Sequence, residues 1–379
     1  MRILQLIRDH NGGGAERIAA MLHDGFRAAG HDALLLDRTD LPMSHGRGTL
    51  RRIASRIDRR LERPAAALRR RRGYDDFDFP WTRLLPHGLP GVGRVDVLQL
   101  HNLHGGWFDL RELPRISRAV PTFVTLHDAS LLLPGPHHAV EMTDRPRHWS
   151  PRVLEANHRA RQAALAGAAL HLISPALWLL HEATAALVRV TRTSSHIPHG
   201  VDAAVFQPPR EPPAGAPRLL VAGHASTTGF RDVSLIDAVV TEVLRRSPGV
   251  RATVFGHLDA PVCAAHARVD VRGPVPQPEV AALMRSHHAL LYATRADTHP
   301  GTVREAQACG CLPIASDLPA LREMITAPAE GRLFEGSEAA IAACCEVLRA
   351  PRSGGVAAPP FKETVRAYLS TYGGTGRRV

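Results

Sequence analysis

Lysine is almost missing from this sequence: of 47 basic residues among 379, only Lys362 is not arginine. A phosphate loop of the Gly-Lys-Ser/Thr type and a Schiff-base lysine for pyridoxal chemistry are therefore excluded, unless Lys362 serves. Aromatic residues are scarce at 5 %, and the interleaving of aromatic and basic residues typical of nucleic-acid modules is absent with them. No apolar run approaches the roughly 18 residues that would span a bilayer. The N-terminal MRILQLIRDHNGGG meets charge too soon for the apolar region of a signal peptide and has no small-residue cleavage site. A cytoplasmic location is expected. Cys263, Cys309, Cys311, Cys344 and Cys345 are odd in number, two adjacent and two one residue apart. No disulfide framework is evident, and Cys309-Gly-Cys311 lacks a second ligand pair for zinc. They read as buried thiols.

The charge that is present is concentrated. The net +11 comes mostly from Arg47 to Arg72, where eleven arginines face only Asp58 and Glu62, so 11 − 2 = +9. Leu50, Ile53, Ile57 and Leu61 fall on one stripe of a helix expected over 47–63, with arginines covering the other face and Pro64 ending it. Such an element suits either an anionic membrane surface or packing on its own domain with its arginines in water. Peripheral contact with the inner membrane face through 47–63 is one expectation. A non-catalytic protein binding membrane or nucleic acid through 47–72 is an alternative reading of the whole chain.

The rest has an ordinary globular composition, 44 % apolar and long enough for two domains. Apolar runs at 2–7, 33–37, 95–100, 122–126 and 170–174 alternate with helical patterns. After QPPREPPAGAP (207–217), whose five prolines exclude a helix or central strand, the pattern restarts at 218–223, 252–256, 289–293 and 312–316. Runs so continuously apolar, joined by helices, read as parallel strands buried on both faces. Two doubly wound halves are expected: an N-terminal domain at 1–206, a Pro-rich hinge at 207–217, a C-terminal domain at 218–360 and a last helix in 361–379. Ligands of such sheets bind beyond the carboxyl ends of the strands, which puts a cleft between the halves.

Three loops follow strands there. NGGGAER (11–17) is either a plain tight turn or a backbone approach to an anion. LHNLHGGWFDL (100–110), TLHD (125–128) and His137-His138 make a histidine-rich group. They lack the HExxH geometry of a metal helix, so no metal is expected, and His127 suits a hydrogen bond to sugar or phosphate. In DTHPGTVREAQACG (297–310), Pro300-Gly301-Thr302 starts a helix that Gly310 ends. The amides of Thr302 and Val303 at the positive end of that helix suit a diphosphate. Glu305 one turn in could reach a ribose diol, and Asp297 in the preceding loop could accept from sugar hydroxyls. Taken alone, two solvated acids around a helix start would explain the stretch as well.

The Gly-Gly-x-Glu turn at 13–16, HNLHGG, TLHD, SPALWL (174–179), IPHGVD (197–202) and the acid-x7-Glu stretch followed by AxACG keep one order across nearly the whole chain. In that arrangement the sequence resembles retaining GT-B glycosyltransferases of family 4, most closely the bacterial exopolysaccharide-type branch. The resemblance implies an α/β GT-B fold, two Rossmann-like domains facing a central cleft, with the last helix returning to the N-terminal domain. It implies a catalytic set of His127, Asp297 and Arg231, with Asp297 at a position that is commonly Glu. Glu305, Gly301, Thr302, Val303, His299, His224, Gly273 and Val275 would bind the donor, 273–276 lying beside the base. Gly13 and Gly14 would approach the donor phosphates or the acceptor. One departure stands out. Relatives carry Lys before Gly-Phe in the first loop of the second domain, where this chain has Thr228. Arg231 is the expected substitute, since a guanidinium can engage phosphate bidentately, and His224 is expected to assist.

The implied reaction moves a sugar from a UDP- or GDP-type donor to a hydroxyl of a sugar, a lipid-linked sugar or a small molecule. It retains configuration by front-face attack, with no cofactor and no metal. A GT-B phosphorylase and a nucleotide-sugar epimerase remain alternatives within the same fold.

Overall fold

The computed structural model describes residues 1–10, 13–37, 40, 94–104, 107–144, 149–211, 215–224, 230–259, 261–350, 355–356 and 358–374. The basic segment 47–72 and Thr228 lie outside the described residues. The chain divides into two units, Met1–Ile197 with Val365–Val379, and Pro198–Thr364. By this division the Pro-rich stretch 207–217 falls within the second unit.

The first unit holds β1 (Arg2–Leu6), β2 (Asp32–Leu36), β3 (Val97–His101), β4 (Thr122–Thr125), β5 (Leu170–Ser174) and β6 (Thr191–His196). Its helices are α1 (Gly14–Ala28), α2 (Leu113–Ala119), α3 (Val140–Asp144), α4 (Pro151–Leu165) and α5 (Leu177–Ala186). The strands are parallel and ordered β2-β1-β3-β4-β5-β6. The second unit holds β7 (Arg218–Ala222), α6 (Val233–Arg246), β8 (Arg251–Phe255), β9 (Val269–Val271), α7 (Gln277–Ser286), β10 (Ala289–Tyr292), α8 (Gly301–Ala308), β11 (Leu312–Ser316), α9 (Pro319–Arg322), β12 (Arg332–Phe334) and α10 (Gly336–Arg349); α11 (Phe361–Gly373) closes the described chain. Its sheet is also parallel and ordered β12-β11-β10-β7-β8-β9.

The central strands carry the runs read from the sequence, and their residues are buried on both faces: Leu219, Leu220, Val221 and Ala222 in β7, Ala289, Leu290 and Leu291 in β10. The second sheet therefore feeds two apolar layers, one on each face. Three strands escaped the sequence reading: β6, β9 and β12. All three lie at sheet edges, where one flank needs no apolar cover, and β6 is the largely exposed TRTSSH. Gly30 (φ 82°) and Gly310 (φ 71°) follow α1 and α8 in the left-handed conformation that ends a helix.

Helix α11 is tied to the first sheet by a buried polar chain. The Tyr372 hydroxyl donates to Gln99 Oε1 at 2.8 Å, Gln99 Nε2 donates to Thr125 Oγ1 at 2.9 Å, and the Tyr368 hydroxyl lies 3.0 Å from the same Oγ1. All five cysteines are free and buried. Among the described residues, no helix is long and apolar enough to cross a membrane.

Candidate active site

Strand order locates the ligand ground in each unit. In the first sheet the chain steps from β1 outward to β2, then returns to place β3 on the other side of β1. In the second it runs β7-β8-β9 and returns to place β10 beside β7. The crevice at such a reversal, past the carboxyl ends of the strands, is where open α/β sheets bind ligands.

At the second unit's reversal, the loops after β7 and β10 are fastened together. Arg231 and Thr294 form an antiparallel bridge. The Arg295 amide donates to Phe230 O at 2.8 Å, the Asp232 amide to Ala293 O at 3.3 Å, and Thr294 Oγ1 to Phe230 O at 3.2 Å. The loop after β7 is fastened equally to the loop after β8: the His224 and His257 amides and carbonyls exchange bonds of 2.8 and 2.7 Å. Two glycines permit this approach. A Cβ on Gly223 would stand 2.6 Å from His257 O, and one on Gly256 (φ 81°) 2.7 Å from His224 O.

This framework sets Arg231 over Tyr292, its guanidinium carbon 3.8 Å from the ring centroid. Tyr292, the last residue of β10 and 2 % exposed, donates its hydroxyl to Asp297 Oδ2 at 2.6 Å. Burial raises the Tyr292 phenol well above its ordinary range, Asp297 adds to that and Arg231 opposes it, so the phenol keeps its proton. His224 is neutral near pH 7, its imidazole lowered to about 4 by burial and by the charge of Arg231. Its Nε2 accepts the Arg231 amide at 2.7 Å. His224 therefore braces the Arg231 backbone and adds no positive charge.

Helix α8 begins after Pro300, and no side chain caps it. The Val303 amide donates to Pro300 O at 3.1 Å, closing the first turn. Helix geometry leaves Gly301 and Thr302 as the first-turn amides without intrahelical acceptors. The Val303 side chain is wholly buried, and Glu305, one turn in, is 3 % exposed. His299 meets the buried His199 edge-on, ring centroids 5.6 Å apart. Gly273 takes φ 62° and accepts the Gly256 amide at 2.6 Å, and Val275 packs on the apolar layer beneath α8.

In the first unit, Gly13 is the N-cap of α1 and Gly14 its first residue. Glu16, in the first turn and 8 % exposed, accepts Asn102 Nδ2 at 3.2 Å. Asn102 follows β3 with φ 47°, a left-handed conformation that non-glycine residues adopt rarely, and its carbonyl accepts Trp107 Nε1 at 2.7 Å. Behind it, His101 is fully buried. Its Nε2 faces Gln5 Oε1 at 3.2 Å and its Nδ1 faces His127 Nε2 at 2.9 Å. Burial lowers both imidazoles, His127 to about 4 and His101 well below its ordinary value, and each ring is then neutral near pH 7. Gln5 Oε1 can only accept, so His101 carries its proton on Nε2 and accepts at Nδ1. His127 must then donate from Nε2, which leaves the lone pair on its Nδ1.

Asp128 next to it takes the Ser130 amide on Oδ1 at 2.8 Å and stands 3.2 Å from His104 Nε2. Burial pushes the Asp128 carboxyl up, but the charge and hydrogen bond of His104, with His137 and Ser130, outweigh that and hold it ionised. His104, Asp128 and His137 each offer a ligand atom, all within 4.8 Å of one another, as do His10, Asp37 and Asp40. These are the two groups among the described residues that could hold a cation. Sequence reasoning missed Tyr292 and Asn102, and it grouped His101 with His127 without finding the hydrogen bond between them. The Gly-Gly-x-Glu spacing was the signal for Glu16.

Residues 216–350 match the family described as Glycosyl transferases group 1. The chain's fold is GT-B, two parallel α/β units. A glycosyltransferase of Rickettsia africae ESF-5 superposes with TM-score 0.61 at 12 % identity, covering 100 % of this chain and 99 % of that one. Sucrose-phosphate synthase of Thermosynechococcus elongatus gives 0.61 at 16 %, covering 99 % and 97 %. Anabaena HepE, solved with UDP and glucose, gives 0.59 at 13 %, covering 99 % and 100 %. No curated protein matches the sequence. The matched family region contains Arg231, Tyr292, Asp297 and Glu305.

Proposed function

We propose that this chain is a retaining, metal-independent glycosyltransferase of the family 4 type, moving a sugar from a UDP- or GDP-type donor to a hydroxyl of a glycan, lipid-linked sugar or small molecule. The observation that carries the reading is the fastening of Arg231 and Asp297 around Tyr292 at the reversal of the second sheet, inside the group 1 domain. HepE, which shares the fold, is solved with UDP-glucose and with UDP and glucose, and this favours a nucleotide sugar as the ligand class.

In this reading the second unit holds the donor. Glu305 takes the ribose diol, Arg231 and the Gly301 and Thr302 amides take the diphosphate, and Asp297 accepts from the sugar hydroxyls. His127, in the first unit, accepts a sugar hydroxyl at Nδ1. The bond from the anomeric carbon to the β-phosphate oxygen breaks as the acceptor oxygen bonds that carbon on the same face, and the acceptor proton passes to the departing phosphate. The protein's work is electrostatic, because negative charge grows on a diphosphate facing a fixed cation and fixed amides.

The test is incubation with UDP- and GDP-hexoses and an array of hydroxyl acceptors, with proton NMR of the product. Acceptor-dependent release of nucleoside diphosphate, retained anomeric configuration and indifference to EDTA are expected, and Arg231→Ala and Glu305→Ala should abolish transfer while the fold persists. Full activity in both variants refutes the site. Conversion of donor alone identifies an epimerase, and a requirement for inorganic phosphate identifies a phosphorylase.

A further inference from the structure

An arginine standing in for a lysine near a diphosphate has a long side chain whose guanidinium must be held at one place to be useful. Here the backbone of Arg231 is fixed by its bridge to Thr294, and its head lies over a buried ring. That ring belongs to Tyr292, whose hydroxyl anchors Asp297 Oδ2 at 2.6 Å. One side chain thus touches both the cation assigned to the diphosphate and the carboxylate assigned to the sugar: ring and hydroxyl meet Arg231, whose Nε also donates to Gly223 O at 3.4 Å, and the hydroxyl alone meets Asp297.

We propose that Tyr292 is a positioning residue with two functions: its ring face presets Arg231 for the diphosphate, and its hydroxyl presets Asp297 for the transferred sugar. This rests on the donor reading above. A preset group loses no rotamer freedom when the ligand arrives, so the gain appears in ligand affinity. The ring face is available to any aromatic residue, since the attraction of a cation to an aromatic face needs no hydroxyl. The anchor on Asp297 needs the hydroxyl itself.

The two contacts separate by substitution and by ligand. Titration calorimetry on the full chain would use UMP, UDP and UDP-glucose, with the GDP-mannose series in parallel. Affinity gained from UMP to UDP reads the diphosphate, and affinity gained from UDP to UDP-glucose reads the sugar. Tyr292→Leu should cut the diphosphate gain about tenfold. Tyr292→Phe, which keeps the ring and the packing but loses the hydroxyl's contact with Arg231, should restore most of that gain and still lose the sugar gain about tenfold. A structural role alone would not make phenylalanine rescue one increment and leave the other lost.

Wild-type increments in both variants overturn the proposal and leave the donor reading standing. So does a loss of the diphosphate gain in Tyr292→Phe equal to that in Tyr292→Leu. A wild-type protein that binds neither nucleotide series overturns the donor reading, and the assignment of Tyr292 falls with it.

Discussion

Acid should destabilise the first unit through His127, and the size of the effect follows from the structure. Folded, the His127 imidazole is lowered to about 4 because burial disfavours its charged form, an effect that Asp128 only partly offsets; its ordinary value is 6.5. The folded pKa lies below the unfolded one, so between these values the unfolded chain binds the proton and the native chain does not. Stability is thus full above about pH 6.5, falls as pH drops toward 4, and loses nothing further below that from this group. At about pH 5 the ratio of the two binding polynomials is about thirtyfold, or about 2 kcal/mol lost relative to about pH 7.5. His101 adds a loss of the same sign, since burial and the facing His127 lower it as well. The unit can be read separately: all four tryptophans, Trp81, Trp107, Trp149 and Trp178, lie within Met1–Ile197. Urea unfolding followed by tryptophan fluorescence at about pH 7.5 and about pH 5 therefore reports it. His127→Asn should lose about 2 kcal/mol less than wild type over that interval. An equal pH dependence in the two proteins would refute the neutral, buried His127 and the tautomer drawn from it.

Two further substitutions test the packing and the site. Gly25 lies inside α1, where alanine is ordinarily favoured by about 1 kcal/mol, yet a Cβ there would sit 2.4 Å from Val365 Cγ2 and 3.1 Å from Cγ1. Val365 is β-branched and stiff, so Gly25→Ala should destabilise the first unit by about 1–3 kcal/mol. In the Val365→Ala background the same change should cost nothing, and equal costs in both backgrounds, read by the tryptophan assay, would contradict the contact. Glu305→Gln keeps the shape of a side chain only 3 % exposed while removing its charge. UDP or GDP affinity should fall about tenfold to a hundredfold, and inorganic pyrophosphate should bind as it does to wild type. Strengthened pyrophosphate binding, from the repulsion relieved, would place Glu305 at the phosphates instead of the ribose.

What could be read in the sequence and what could not divides along physical lines. Central strands such as β7 and β10 declared themselves because a parallel strand covered on both faces must be apolar throughout. The edge strands β6, β9 and β12 carry no such demand, and none was found. Asp297, Glu305 and the start of α8 were visible as local spacing around Pro300-Gly301. The bond from the Val303 amide to Pro300 O, which closes the first turn, was not. Tyr292 was hidden for a different reason. In ALLYA it reads as one more large strand residue, and nothing near it marks the ring as a platform. Its ring contact with Arg231 crosses sixty-one positions, 292 − 231 = 61, and depends on glycines 223 and 256 letting three loops fasten together. His127 is similar, since its tautomer is set through His101 by Gln5, on another strand. Local motifs named the groups that could touch a donor. The groups that hold them in place are distant in sequence, polar or aromatic, and buried, and this is why Arg231 could be named from the sequence as the candidate for the missing lysine's place but the Tyr292 ring beneath it could not.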